Sequence, residues 1–434
     1  MEGENHLTTI HYADQPVQGT LRIPGDKSIS HRAIMLGAIA KGKTTIEGFL
    51  TGDDCLRTID IFKQLGVTIT LDGTNVTIDS PGIDAWITPS APLYCGNSGT
   101  TARLMLGILA SSNVTATLTG DDSLSKRPMD RVVNPLKQMG ANIEAQSDEM
   151  VLPLTVTGQS LTPIHYQSPV ASAQVKSAIL FAGLQTEGVT SVEENAVSRD
   201  HTEQMLRYFG ANISTNERIA SIKKSESFTG KHVEVPGDIS SAAFFLVAAA
   251  LVKGSSLTLE RVGLNETRTG IIDVLQQMGA NLRIVDATAE NGEPIGTIKI
   301  DYAPLSAIEI GGEIIPRLID ELPIIALLAT QAHGRTVIKN AEELRVKETD
   351  RILAVTTELT NIGANVEATE DGMIIHGPTP LIGGKMDSYG DHRLGMMAGI
   401  ASLITKDPVT IEDAACIDIS YPTFFNHLAA VTKS

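Results

Sequence analysis

The sequence predicts an α/β fold of two similar domains. Three observations carry this: a helix–glycine–strand cassette that recurs five times, a motif duplicated about half a chain apart, and a set of short apolar runs each headed by polar residues. The cassettes are KQLGVTI around Gly66, KQMGANI around Gly140, RYFGANI around Gly210, QQMGANL around Gly279 and TNIGANV around Gly363. Their spacing of about 70 to 85 residues exceeds that of solenoid repeats. In each, the glycine suits a helix C-terminus, where a positive φ costs little without a Cβ, and the alternating residues after it suit a strand. At 434 residues, 42% hydrophobic and 20% charged, the chain can bury the cores of two domains.

The duplication is PGDKSISHRAIMLGAIA from Pro24 and PGDISSAAFFLVAAA from Pro236. Both copies open with an Asp and a Ser able to cap the small-residue helix that follows. Only the first carries Lys27, His31 and Arg32, as if structure were kept in both halves and chemistry confined to one. GNSGTTARLMLGILA, SAQVKSAILFAGL, DELPIIALLAT and DHRLGMMAGIA have the same form. A helix N-terminus offers free N–H groups and the positive end of its dipole, a natural anion site. Any one of the six also reads as an ordinary capped, buried helix. The basic residues beside them, Lys27, Arg32, Arg103, Lys176 and Arg393, point to an anionic ligand.

Bulk properties narrow the partners. The formal charge of −17 argues against a nucleic-acid or acidic-lipid surface. The opening MEGENHLTTIHYADQ lacks a basic stretch with an apolar core, and no run reaches the roughly 18 apolar residues of a membrane span, so a cytosolic protein is expected. Cys55, Cys95 and Cys416 are far apart and form no CxxC, which indicates packed thiols rather than a disulfide framework or zinc site. The ten histidines are scattered and no metal site is expected. Neither GxxxxGK[ST] nor a strand-borne GxGxxG occurs, which disfavours nucleotide hydrolysis and dinucleotide redox chemistry.

Chemistry concentrates in five segments. AEELRVKETDRI, residues 341–352, brings together Arg345, Lys347, Glu348, Asp350 and Arg351; by itself it could be a solvated charge run. With GDKSISHR, GNSGTTAR, SKRPMDR and SYGDHR it supplies Lys27, Arg32, Arg103, Arg127, Arg131, Lys347, Arg351 and Arg393. That is enough to hold two phosphorylated or carboxylated small molecules by charge-assisted contacts.

The strings PGDKSISHRA, GNSGTTAR, KRPM, ASAQVKSA, SRDHTE, NETR, RVKETDR and YGDHR resemble those of the 5-enolpyruvylshikimate-3-phosphate synthase family and occur in its order, from about Leu21 to Phe425. The resemblance implies the enolpyruvyl transferase fold: two domains, each of three βαβαββ repeats with helix N-termini facing an interdomain cleft. An N-terminal domain would cover 23–236 and a C-terminal domain 1–22 with 237–434. The implied reaction transfers the enolpyruvyl group of phosphoenolpyruvate to the 5-hydroxyl of shikimate 3-phosphate, releasing phosphate. The family default is a cytoplasmic monomer without cofactor or metal.

Carried over residue by residue, the resemblance implies that Ser28 and Arg32 hold the shikimate carboxylate. Ser172, Ala173, Gln174, Ser198 and Lys347 fall around its 3-phosphate, with Lys27 also on this substrate, and Asp320 contacts its 5-hydroxyl. Lys27, Gly99, Arg127, Gln174, Arg351 and Arg393 would hold phosphoenolpyruvate. Asp53, Asn97, Thr100, Arg103, Glu343 and His392 match further cleft positions. The addition must deprotonate the hydroxyl and protonate the methylene carbon, so an acid and a base are both needed. Asp320 is the expected base, with Glu348 and Lys27 handling protons at the methylene and leaving phosphate. Two departures stand out: Ala173 where many members have a second serine, and Ser420 where many have a lysine. Both bear on affinity for phosphoenolpyruvate and for glyphosate, for which reduced but not absent sensitivity is expected. The rivals are a sister transferase acting on UDP-N-acetylglucosamine through a reactive loop cysteine, and a non-catalytic sensor of anionic metabolites.

Overall fold

Each of the five glycine junctions ends a helix in the left-handed region, with φ of +91° at Gly66, +87° at Gly140, +94° at Gly210, +96° at Gly279 and +97° at Gly363. These angles come from a computed structural model, which describes residues 7–225, 227–290 and 292–432. The helices they end are Asp53–Gln64, Asp130–Gln138, His201–Tyr208, Gly270–Gln277 and Arg351–Asn361. A strand follows each one at once, beginning at Thr68, Asn142, Asn212, Asn281 and Asn365.

The full cassette is larger than its sequence signature. Leu93–Tyr94 leads through the helix Gly99–Ala110 to Thr115–Thr119, which pairs with it in parallel, the connection that parallel strands require. After the outer helix Asp130–Gln138, the hairpin Asn142–Ala145 and Leu154–Thr157 adds antiparallel to Thr115–Thr119. The same four-stranded pattern recurs in four further sheets. A sixth, three-stranded sheet takes Gly384–Asp387, Val409–Glu412 and, antiparallel to the latter, Thr8–Ile10 from the other end of the chain. The final helix of that last cassette, Phe424–Thr432, is followed by no strand among the described residues.

The chain divides into two compact units: Gly25–Val235 with Ala289–Glu293, and the chain up to Pro24 with Pro236–Thr288 and Pro294 onward. Two strands are exchanged between the duplicated motifs. Gln18–Arg22 leads into the helix Lys27–Ile39, yet pairs in parallel with Ser256–Gly263, which follows the helix Ile239–Leu251. His232–Glu234 leads into Ile239–Leu251, yet pairs in parallel with Gly42–Glu47, which follows Lys27–Ile39.

The six polar-headed helices are Lys27–Ile39, Gly99–Ala110 and Ala173–Gly183 in the first unit, and Ile239–Leu251, Leu322–Ala329 and His392–Ala401 in the other. Ile239–Leu251 is buried from Ile239 through Ala250, as expected of a helix that is apolar on all faces. Five are capped by side chains, from Asp26, Ser98, Ser172, Asp238 and Asp391. Small residues let the helices approach closely: a Cβ on Gly107 would overlap the Ala178 carbonyl of the neighbouring helix. Among the described residues no helix is long and apolar enough to cross a membrane.

Gly107→Ala and Gly140→Ala separate the two uses of glycine. The first forces apart packed helices and should cost about 2–3 kcal/mol. The second meets no atom within 4 Å and should cost only the conformational penalty, about 1 kcal/mol. Urea unfolding of the two variants checks the ranking, and a larger loss for Gly140→Ala would reverse the assignment.

Candidate active site

In the first unit the Lys27–Ile39 helix sets out the chemistry along its first turn and a half. Asp26 accepts from Ile29 N at 2.8 Å, fixing the helix head. Lys27 Nζ, partly exposed, lies 3.2 Å from Asp54 Oδ2. Arg32 is buried, donating from Nε to Thr202 Oγ1 (2.6 Å), and from its two terminal nitrogens to Ser177 Oγ (3.0 Å) and the Ser28 carbonyl (3.0 Å). Burial pushes its pKa down to about 10, so it remains a cation at neutral pH. At the corresponding positions of the second copy stand Ile239, Ala243 and Phe244, all buried and apolar.

A second group lies at the heads of the Gly99 and Ala173 helices. Gln174 is clasped between Arg103 (2.9 Å) and Thr100 (3.2 Å). Arg127 donates to Asn97 Oδ1 at 2.7 Å, and Asn97 donates to Asp121 at 2.7 Å. A Cβ on Gly99 would stand 3.0 Å from the Arg103 guanidinium and 3.6 Å from that of Arg127, so the glycine leaves the space before these cations open. Ser172 caps its helix through Val175 N, with Ala173 as the first helical residue. Ser198 is buried, and its hydroxyl has no hydrogen-bond partner among the described residues. Such a group costs stability unless a ligand or water meets it.

In the other unit the centre is Asp320. One carboxylate oxygen lies 3.2 Å from Arg351 and 3.8 Å from Lys347, and the other 3.8 Å from Arg393. Arg351, only 1% exposed, also donates to Glu348 at 2.6 Å and twice to Asp391, at 2.7 and 3.2 Å. Burial alone would lower the Arg351 pKa, but Asp391, Glu348 and Asp320 outweigh it and hold the guanidinium firmly charged. Asp391 also caps the helix that bears Arg393, accepting from Arg393 N at 2.9 Å. The preceding turn puts Tyr389 at φ +53° and ties its hydroxyl to Glu358 at 2.9 Å. A largely buried carboxylate ringed by three cations, with a second carboxylate alongside, suits proton transfer on an anionic substrate.

Residues 12–428 match the sequence pattern of the EPSP synthase (3-phosphoshikimate 1-carboxyvinyltransferase) family. The chain belongs to the EPSP synthase family. It is 57% identical over 417 residues to the 3-phosphoshikimate 1-carboxyvinyltransferase of Oceanobacillus iheyensis, covering 96% of this chain and 97% of that one. Identity to the Bacillus velezensis enzyme of the same name is 57% over 418 residues, covering 96% and 98%. Among solved structures, an EPSP synthase from Acinetobacter baumannii aligns with a TM-score of 0.88 at 43% identity over 98% of both chains. The enolpyruvyl transferase NikO of Streptomyces tendae aligns at 0.79 over 98% of this chain and 97% of that one; at 19% identity it shows the shared fold.

Within this EPSP synthase framework, two residues that the sequence pattern set beside a ligand, Lys176 and His31, lie in the interior instead. Lys176 is no ligand cation: it is buried, with Glu194 and Glu203 each 2.8 Å away. Burial would lower its pKa, but the two glutamates raise it, so its charge is spent inside the protein. His31 is likewise interior, with Nδ1 2.8 Å from Thr58 Oγ1. Asp53 is exposed, and Asp54 beside it is the partner of Lys27. Arg131 is also exposed. Asp391, Thr202 and Ser177 were missed, although the first could have been found as the cap of DHRLGMM. All three cysteines are buried, and burial drives the Cys95 and Cys416 thiols up to about 12, away from the reactive thiolate of the sister transferase.

Replacing Lys176 by Met strands two buried glutamates, so Lys176→Met should cost about 3–5 kcal/mol. Adding Glu203→Gln should return part of that loss in urea unfolding; no recovery would place the cost elsewhere. His31 supplies a pH test. Burial, then Lys27 and Arg32, hold its pKa well below 6.5. Below that pH the unfolded chain takes up a proton that the folded one refuses, so this residue makes stability fall as pH drops, by up to about 1.4 kcal/mol per unit. His31→Gln should flatten the stability profile between pH 6.5 and the lowered value, and an unchanged slope would show that the imidazole already binds a proton in the folded state.

Proposed function

We propose that this chain transfers the enolpyruvyl group of phosphoenolpyruvate to the 5-hydroxyl of shikimate 3-phosphate, a step of aromatic amino acid biosynthesis. The observation that carries the mechanism is Asp320 among Lys347, Arg351 and Arg393, with Glu348 on the same guanidinium. While Asp320 neutralises these cations it is a poor proton acceptor. An arriving phosphoenolpyruvate carboxylate or phosphate that engages Arg351 and Arg393 leaves it a stronger one. Asp320 then takes the proton of the 5-hydroxyl as that oxygen bonds to the enol carbon, and Glu348, with Lys27, delivers a proton to the methylene. The roles then reverse: Glu348 takes a proton back from the methyl group as the enol double bond forms, and the departing phosphate carries away the proton held by Asp320.

Binding roles follow the same chemistry. Ser28 and Arg32 take the shikimate carboxylate. Ser172, Gln174, Ser198 and Lys347 take the 3-phosphate, with the backbone at Ala173 contributing at the helix head. The orphan hydroxyl of Ser198 supports this. Lys27, Arg127, Gln174, Arg351 and Arg393 take phosphoenolpyruvate, with Gly99 leaving it room. Asn97, Thr100 and Arg103 orient Arg127 and Gln174. Glu343, half-buried in the turn Glu342–Val346, and His392, buried at the head of its helix, have supporting places in this reading. The domain crossings fall near residues 22 and 236, and the enzyme acts as a cytoplasmic monomer. Ser420, buried with no partner for its hydroxyl among the described residues, brings no cation where many relatives have one, in keeping with weakened binding of glyphosate.

Phosphate release from phosphoenolpyruvate should require shikimate 3-phosphate and should not occur with UDP-N-acetylglucosamine. Asp320→Asn should lower kcat by about 10²–10⁴-fold. Folded protein that releases phosphate with neither acceptor would favour the metabolite-sensor reading, and an unchanged kcat in Asp320→Asn would remove its role as base. In the same assay glyphosate should inhibit, but less tightly than it inhibits sensitive members of the family.

A further inference from the structure

Asp320 and Glu321 head the Leu322–Ala329 helix, and their carboxylates diverge. Asp320 meets Lys347, Arg351 and Arg393, whereas Glu321, 1% exposed, turns inward and accepts a hydrogen bond from the Ser240 hydroxyl. That hydroxyl accepts in turn from the Arg268 guanidinium at 2.7 Å, and the guanidinium also reaches Asp238 at 3.1 Å. Asp238 caps the Ile239–Leu251 helix through Ser240 N at 2.8 Å. All four side chains are buried, and none has a part in the reaction described above.

The duplication shows what this cluster replaces. Ser240 stands in PGDISS where Ser28 stands in PGDKSI, and Ser28 is the partly exposed hydroxyl assigned to a substrate carboxylate. Glu321 occupies the capping position of the second inner helix in its unit. The same position in the other unit holds Ser98, whose hydroxyl turns back on Thr101 N and Thr101 Oγ1. A serine there is too short to reach across to the first helix; a glutamate is long enough. Each unit therefore carries a serine at a helix head beside an arginine, and one unit fills that head with its own carboxylate.

We infer that Glu321 is a built-in carboxylate ligand of the serine–arginine site at the head of the Ile239–Leu251 helix, and that through this anchor it positions Asp320. The inference rests on the role of Asp320 proposed above. The Ser240 hydroxyl, itself held by the Arg268 guanidinium, donates to the Glu321 carboxylate, and a hydrogen bond to a charged acceptor is strong in a buried setting. With Glu321 tethered inward, the peptide joining it to Asp320 cannot rotate, and Asp320 is held outward towards its cations. Freed of the tether, that first turn can shift, and a displacement of about 1 Å at a reacting group costs on the order of 10²-fold in rate.

The test uses Glu321→Ala, Glu321→Gln and Ser240→Ala in the full chain, followed by phosphate release and thermal unfolding with and without sodium formate. Glu321→Ala should lose at least about tenfold in kcat with little change in KM for phosphoenolpyruvate. Formate, the smallest carboxylate, should restore much of that kcat and raise the melting temperature of this variant but not of the parent. Glu321→Gln should keep most activity, because its amide oxygen still accepts from Ser240. Ser240→Ala, a change of one oxygen, should lose kcat without rescue. A kcat equal to the parent's in folded Glu321→Ala or Ser240→Ala overturns the inference, as does a loss in Glu321→Ala that formate leaves untouched. If Glu321→Ala does not fold even in formate, Ser240→Ala alone decides in the same way. If instead Asp320→Asn turns over normally, the reading of Asp320 fails, while a formate-dependent rise in the melting temperature of Glu321→Ala still reports the built-in site.

Discussion

A helix buried on all sides must still satisfy the free N–H groups at its head, and this constraint shapes most of the molecule. Six helices with little polar surface along most of their length gather their polar atoms in the first two turns. Five solve it with a capping Asp or Ser, and the resulting heads combine oriented N–H groups with nearby charge. The feature that permits burial is therefore also the feature by which a helix head can receive an anion. Lys27, Gln174, Asp320 and Arg393 all stand at or beside such heads; their helices are rigid, and so their geometry is defined.

The charges gathered there are satisfied within the protein. Arg351 is enclosed by Asp391, Glu348 and Asp320, Lys27 rests on Asp54, and Arg32 is held by hydroxyls and a carbonyl. Unpaired buried ions are too costly to keep, so a cationic site for anions takes this form when its own chain supplies the counter-ions. Binding is then an exchange of partners. In the proposed reaction the carboxylates released by that exchange, Asp320 and Glu348, are the groups that move protons, which ties binding to chemistry.

The duplicated heads have diverged in a consistent direction. One copy has Lys27, His31 and Arg32; the other has Ile239, Ala243 and Phe244, and its remaining polar head is closed by Glu321 and Arg268. An anion site that is not used has to be filled, for the same reason that a used one has to be capped. Strand exchange keeps the copies linked: the strand before each motif completes the sheet that follows the other motif.

The sequence by itself determined whatever depends on neighbours in the chain. The glycines at 66, 140, 210, 279 and 363 take positive φ because a helix must stop there, and the caps lie two or three residues from the N–H groups they serve. Those local rules made five of the six cassettes, the duplication and the six polar-headed helices legible, and the motif strings identified the family. Tertiary structure decided whatever depends on partners far apart. Thr8–Ile10 completes the sixth sheet from the opposite end of the chain. Arg351 finds Asp391 forty residues away, and Lys27 chooses Asp54 over the adjacent Asp53. Lys176, which resembles its neighbours in pattern, is neutralised by Glu194 and Glu203. A charged residue has the same letter whether it faces a ligand or a buried counter-ion, and only packing, which sets burial and the side chain across the gap, separates the two.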